Sequence, residues 1–321
     1  MHSPVIVALD GYTLNPGDLS WDAIAKLGRF TAYPRTAEAQ VIERAASATI
    51  VITNKVGFPA ATLAQLPQLK LIAVTATGYN IVDTAAAKAR GVRVCNVPAY
   101  STESVAQHTV ALLLELTNHV GRHVESVRRG DWGRQAEFSY TVAPMVELKG
   151  KTIGLIGFGN IGRQVGAIAQ ALGMNVLVLD RGHEVAATYP IRRVDLDTLL
   201  ATADVVSLHC PLTAENAKLI NRQTLALMKP GALLLNTARG GLVDDAALAE
   251  ALNAGHLGGA GLDVLTVEPP AQGNVLIGAK NCLVTPHIGW ATLESRQRCL
   301  AVTTENIAAF IAGKPVNVVN R

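Results

Sequence analysis

The sequence predicts an α/β protein made of two doubly wound parallel-sheet domains. Three observations carry that prediction. Short β-branched runs alternate with helical periods through the first hundred residues, a second series of the same kind begins near residue 151, and a glycine fingerprint occupies the first strand-to-helix turn of that second series. At 321 residues the chain exceeds one typical core, which favours two domains of roughly 100 to 200 residues each.

In the first series the strand candidates are "VIVAL" (5–9), "ATIVIT" (48–53), "LKLIAVT" (69–75) and "VRVCNV" (92–97). Between them lie the helix-like stretches "TAEAQVIERAAS" and "NIVDTAAAKARG", the second closed by Gly91 as a stop signal. From Ser101 the period turns helical over a long span, and the spacing predicts one helix over 101–129, with Ser101 or Thr102 as N-cap and Gly130 as terminator. An aperiodic stretch runs to Lys149. Six strand candidates follow: "KTIGLIG", "NVLVLD", "DVVSLHC", "ALLLNTA", "GGAGLDV" and "NCLVTPH". They are enough for a full doubly wound sheet.

Composition narrows the class. With 49% hydrophobic and 17% charged residues, the chain reads as a packed globular protein rather than a disordered or coiled-coil one. The four cysteines, Cys95, Cys210, Cys282 and Cys299, have neither CxxC pairing nor a histidine at ligand spacing, so reduced thiols and no metal are expected. The start "MHSPVIVALDG" lacks a basic stretch followed by an apolar one, and no segment approaches about 18 uninterrupted apolar residues, which points to the cytoplasm and to no membrane partner. A net charge of +3 with scattered Lys and Arg argues against nucleic acid and is compatible with small anionic substrates.

The chemistry concentrates in the second series. In "KTIGLIGFGNIGRQVGAIAQALGMNVLVLD" the glycines Gly157, Gly159 and Gly162 follow an apolar strand, open an amphipathic helix and precede Asp180 at the tip of the next strand. Gly157 permits the tight turn, Gly159 lets backbone approach a pyrophosphate, and Gly162 brings helix and strand together, as in a Rossmann dinucleotide site. Asp180 suits the ribose hydroxyls of NAD and repels a 2′-phosphate, a preference that Arg181 beside it would soften.

Three ionisable residues each follow one of the later strands: Arg239 after "ALLLNTA", Glu268 in "LTVEPP" and His287 after "NCLVTP". In an open parallel sheet the strand ends share one edge, so all three can meet where ligands bind. Hydride transfer to a carbonyl needs a proton donor for the oxygen, which His287 supplies, and Glu268 would hold the imidazole and favour its protonated form. Arg239 would bind a substrate carboxylate and polarise the neighbouring carbonyl.

At this point the chain resembles the D-isomer-specific 2-hydroxyacid dehydrogenases over nearly its whole length. The stretches that carry the resemblance are "AVTATGYNIVD", "NVPAYSTESVAQHTVALLL", "GLIGFGNIGRQV", "VVSLHCPLTAEN", "LLLNTARGGLVDDAAL", "GAGLDVLTVEPP" and "VTPHIGWAT". The resemblance implies that Arg239, Glu268 and His287 form the catalytic trio and that amides around Ala76, Thr77 and Gly78 help bind the substrate carboxylate. It extends the cofactor contacts to Thr109, Asn160, Ile161, His209, Cys210, Pro211, Thr237, Ala238, Asp263 and Gly289, with Asp263 holding the nicotinamide carboxamide.

It also implies an inserted architecture: a Rossmann NAD-binding domain, 99–290, set into a flavodoxin-like substrate domain made of 1–98 and 291–321. Gln107 stands where the family pattern has an acidic residue. Trp290 is placed as in glycerate dehydrogenases, also called hydroxypyruvate reductases, and is expected either to shape the substrate pocket or to anchor the last helix. Trp132 lies in the segment that in similar proteins reaches the partner subunit of a homodimer, where it belongs to the interface or to the neighbouring pocket. A lysine near Thr77, found in phosphite-oxidising relatives, is missing, and Glu268 stands where formate-oxidising relatives carry glutamine.

The expectation is therefore an NADH-dependent reductase of small 2-oxo acids, hydroxypyruvate to D-glycerate first and glyoxylate to glycolate next. D-lactate or bulkier hydroxy acids are the alternative within the family. An NAD-sensing corepressor-like module is the alternative of another class.

Overall fold

The computed structural model describes residues 3–182 and 186–321. The chain divides into two compact units, Met1–Ser101 with Ala291–Arg321, and the continuous stretch Thr102–Trp290.

The first unit holds five parallel strands, β1 (Val5–Ala8), β2 (Arg29–Ala32), β3 (Ile50–Thr53), β4 (Leu71–Val74) and β5 (Arg93–Cys95), in the order β2-β1-β3-β4-β5. The central β3 and β4 are apolar at nearly every position because helices cover both faces of a parallel sheet. β2 was not anticipated: "RFTA" is a largely exposed edge strand and shows no apolar run. The helix expected within "NIVDTAAAKARG" begins only at Thr84, where Asp83 accepts the Ala86 amide at 2.9 Å as N-cap.

The helix Leu293–Ile311 belongs to this unit. It buries Arg296, Cys299, Leu300, Thr303 and Ile307, a stripe at helical spacing, and packs on β4. Its Arg296 meets Asp18 in a two-pronged pair, both contacts at 2.6 Å. The last residues then cover the outer edge of β5: Cys95 bridges Val318 antiparallel, and Asn320 accepts from the Val94 amide and donates to the Val92 carbonyl.

The second unit has seven parallel strands, one more than expected: β6 (Thr152–Ile156), β7 (Asn175–Leu179), β8 (Arg192–Val194), β9 (Val205–Leu208), β10 (Leu233–Asn236), β11 (Gly259–Leu262) and β12 (Cys282–Val284). Their order is β12-β11-β10-β9-β6-β7-β8, which reverses direction between β6 and β9. That is the topological switch point at which doubly wound folds bind ligands. β8, "RRV", is a short edge strand with two arginines and hence no sequence signal.

The single helix expected over 101–129 is two helices, Thr102–Asn118 and Val120–Arg128. His119 between them is left-handed at φ 50, and the Glu115 carboxylate turns to accept the Gly121 amide. Histidine tolerates that backbone region better than most residues, and Asn118 and Gly121 are weak helix formers on either side. The helix Thr102–Asn118 lies tightly on β11. A Cβ added at Gly261 would sit 2.9 Å from Leu112 Cβ, and one at Gly259 2.9 Å from Leu116 Cδ2, so these strand glycines make room for it.

Candidate active site

The fingerprint glycines are explained by what surrounds them. Gly157 has φ +104, and a side chain there would run into the His209 carbonyl and the Cys210 amide at the end of β9. A Cβ on Gly162 would strike the Gly157 carbonyl, whereas one on Gly159 would meet nothing within 4 Å. Two glycines are thus required by the protein's own packing, and the third faces open space at the start of the helix Asn160–Ala171. No side chain caps that helix among the described residues, and the first amides, from Asn160, Ile161 and Gly162, have no acceptor there. Open space, free amides and a positive helix end fit a pyrophosphate. Asp180, next in line, ends β7 with its carboxylate on the Gly182 amide at 3.0 Å, and Arg181 is exposed beside it.

Across the switch point, desolvation of the half-buried His209 imidazole pushes its pKa down from 6.5 to about 4 and keeps it neutral. Its Nε2 pairs with the Ser207 hydroxyl at 2.8 Å. Cys210 is buried with its thiol pushed up by desolvation, and Pro211 follows it on the surface. Neither the thiol nor the imidazole is ionised near neutral pH.

The other half of the site is built on the exits of β10, β11 and β12, whose last paired residues Asn236, Leu262 and Val284 lie side by side in register. Asn236, buried, shapes the first exit: its side chain accepts the Ala238 amide at 3.0 Å and donates to the Arg239 carbonyl at 2.9 Å. Thr237 is fixed by a 2.8 Å hydroxyl contact with Thr109 on the helix Thr102–Asn118. Arg239 is exposed, donates to the Ala238 carbonyl at 2.7 Å, and has no carboxylate within ion-pair distance among the described residues. Solvent meets the charge, and one arm of its guanidinium already rests on the Ala238 carbonyl.

Gly240 ties this exit to the next. Any side chain there would collide with the backbone of Leu265 and Thr266, so the loop after β10 rests directly on the loop after β11. The Leu265 amide in turn donates to Glu268 Oε1 at 2.9 Å, and Glu268 Oε2 accepts from His287 Nδ1 at 2.6 Å. Both carboxylate oxygens are therefore occupied and the imidazole is locked by one of them. His287 sits at φ 55, in the left-handed region that the His119 break also uses. With Nδ1–H committed to Glu268, Nε2 is the ring nitrogen left to exchange a proton with a ligand.

Asp263, just past β11, is buried and accepts from the Thr285 hydroxyl at 2.6 Å and from the Ile288 and Gly289 amides at 2.8 Å each. Burial alone would push its carboxyl up, but hydrogen bonds from His108, Thr285, Gly289 and Ile288 outweigh it and hold the group below the usual carboxylate range. His108, Thr285 and Asn236 were not singled out in the sequence. Trp290, half-buried, closes this segment.

Ala76, Thr77 and Gly78 follow β4 in the first unit. Their carbonyl side is used: Ala76 accepts the Val97 amide at 3.0 Å and Thr77 accepts Asn96 Nδ2 at 2.8 Å. The three amides make no hydrogen bond among the described residues, which is the state required of an anion-binding turn. Among the described residues no group of three or more His, Cys, Asp or Glu side chains is placed to hold a metal ion.

Known proteins share this pattern of sequence and fold. The family described as "D-isomer specific 2-hydroxyacid dehydrogenase, NAD binding domain" matches residues 110–289. A hydroxypyruvate reductase of Blautia hydrogenotrophica is 45% identical over 320 residues, covering 98% of this chain and 99% of that one. A glycerate dehydrogenase of Methylorubrum extorquens is 46% identical over 283 residues, 87% and 88% of the two chains. Among solved structures, an acyclic imino acid reductase in complex with NADPH and D-Arg superposes with a TM-score of 0.86 at 33% identity, covering 98% of this chain and 99% of that one. A fold with a nicotinamide-nucleotide domain, a matching sequence profile and relatives that align end to end lead to one conclusion: the chain is an oxidoreductase and belongs to the D-isomer-specific 2-hydroxyacid dehydrogenase family.

Proposed function

We propose that the chain reduces small 2-oxo acids with NADH, hydroxypyruvate to D-glycerate first and glyoxylate to glycolate next. The observation that carries this reading is the 2.6 Å contact between His287 Nδ1 and Glu268 Oε2, one loop away from Arg239, which has no carboxylate partner among the described residues. The reduced nicotinamide supplies the hydride. Arg239 takes the substrate carboxylate in a two-pronged contact and draws electron density from the adjacent carbonyl. His287 Nε2–H delivers the proton to the carbonyl oxygen, and Glu268 stabilises the imidazolium before transfer and the Nδ1–H tautomer after it. The free amides of Ala76, Thr77 and Gly78 suit a carboxylate oxygen, and Trp290 shapes the pocket.

For the cofactor, Gly157, Gly159, Gly162 and the amides of Asn160 and Ile161 take the pyrophosphate, with Asp180 on the ribose hydroxyls and favouring NADH over NADPH. His209, Cys210, Pro211, Thr109, Thr237, Ala238, Asp263 and Gly289 line the rest of its path. The names of the two relatives support the substrate.

A homodimer fits the surface of the second unit. Val120, Val124 and Val127 form an exposed stripe on one helix, continued by exposed Trp132, Phe138 and Met145. The cytoplasm fits four free cysteines. No helix among the described residues is long and apolar enough to cross a membrane.

The test is NADH oxidation with hydroxypyruvate, glyoxylate, pyruvate and a branched 2-oxo acid, repeated with NADPH. Turnover should be highest with hydroxypyruvate and NADH. No turnover of any 2-oxo acid removes the reading, and equal use of NADPH removes the role given to Asp180.

A further inference from the structure

We propose that His108 is a positioning residue for His287, acting through Thr285 and Asp263. The inference rests on the reading of His287 as the proton donor.

The Thr285 hydroxyl has one hydrogen and, among the described residues, three polar neighbours: Asp263 Oδ1 at 2.6 Å, His108 Nε2 at 2.9 Å and the Leu262 carbonyl at 3.4 Å. A buried carboxylate at 2.6 Å takes that hydrogen. The hydroxyl oxygen must then accept from His108 Nε2, which carries a hydrogen and lies 3.4 Å from the same Asp263 oxygen. His108 is thus the outermost donor of a chain that ends on Asp263, and Asp263 spends its remaining capacity on the amides of Ile288 and Gly289, the two residues after His287.

The contact is close as well as polar. A Cβ on Gly289 would sit 3.0 Å from Asp263 Oδ2 and 3.5 Å from His108 Cδ2, so imidazole and carboxylate form the floor on which the His287–Gly289 turn rests. His287 is left-handed, and the two amides that follow it are both fixed on Asp263, which sets the direction of the turn. The helix Thr102–Asn118 presents His108 to the exit of β12 and the adjacent Thr109 to the exit of β10, so one turn of helix sets both loops that bear on the carbonyl.

Two variants of the full chain test this, His108→Leu and His108→Gln, with Thr285→Val as a second probe of the same link. The leucine variant should lose kcat for hydroxypyruvate by about 10- to 100-fold, the scale of a displaced catalytic group. Its NADH dissociation constant should stay within about twofold of the wild type, and glutamine, whose amide can donate from a similar reach, should recover most of the loss. Thr285→Val should match the leucine variant. Retention of kcat by His108→Leu, equal losses in both His108 variants, or a fall in NADH affinity parallel to kcat overturns the proposal.

A second measurement separates it from the functional reading. In protein labelled with 15N-histidine, the His287 ring signals, assigned by their loss in His287→Ala, should move in His108→Leu and return in His108→Gln. Signals that do not move overturn the positioning role even if the chain turns over a 2-oxo acid. Signals that move in a chain reducing no 2-oxo acid support the positioning and remove only the substrate assignment.

Discussion

Each sheet ends one central strand in a buried aspartate, Asp10 after β1 and Asp263 after β11, and the two carboxylates face similar demands. Asp10 accepts the amides of Asn54, Lys55 and Val56, at 2.9, 2.5 and 3.2 Å, from the loop that follows β3. That loop passes the order on, Asn54 Nδ2 donating to the Thr75 carbonyl at 2.7 Å. Asp263 likewise accepts two consecutive amides from the loop after its neighbouring strand, β12. The difference lies in what those amides flank. Around Asp10 they belong to a turn that joins strand exits to one another, whereas around Asp263 they follow a histidine held left-handed against a glutamate. The same local device closes one sheet edge and, at the other, fixes the turn that carries the proposed proton donor.

The edge that carries His287 is the more sensitive of the two. His287→Ala should lower kcat for hydroxypyruvate by about 10²- to 10⁴-fold, the usual worth of a positioned acid, with the unfolding midpoint nearly unchanged. Gly240→Ala wedges the loop bearing Arg239 away from Leu265 and Thr266, and should cost about 1–3 kcal/mol of stability together with activity, measured by denaturant unfolding and steady-state rates. Asp10→Ala strands buried amides in the first unit and should cost about 1–3 kcal/mol as well, but should leave the NADH dissociation constant alone. A loss of NADH affinity there would show that the two edges are not separate devices.

The smallest expected effect is the acid limb of stability. His209 has a folded pKa of about 4, below its ordinary 6.5, so the unfolded chain binds the extra proton first. Its contribution is full above about pH 6.5 and is lost as pH falls toward 4, and His209→Gln should flatten that part of a stability-against-pH curve.

The same contrast explains what the residue string reveals. Strands such as β4, β9 and β10 are read easily because both faces are covered and their residues form continuous apolar runs. β2 and β8 escape because an edge strand owes its conformation to one neighbour and little to burial. The break at His119 is a decision of one backbone angle and leaves no periodic trace. Arg239, Glu268 and His287 stand out because each directly follows a strand signal and fits a familiar pattern of stretches. His108 does not, for it looks like an ordinary half-buried helix residue and its partner Thr285 is 177 positions away. Asn236 is hidden in the same way, as the polar end of an apolar strand that turns out to direct the loop beyond it.

The return of the chain to the first unit has a consequence for synthesis. The second unit is a continuous stretch that emerges whole, whereas the first must wait for Leu293–Ile311 and for Asn320, which covers the β5 edge. During translation the nucleotide-binding half can fold while the first sheet still has an uncovered edge and lacks a helix on one face. Ribosome-bound chains that end at residue 290, followed by an unstructured spacer long enough to clear the exit tunnel, should therefore capture NADH while that first sheet remains sensitive to protease.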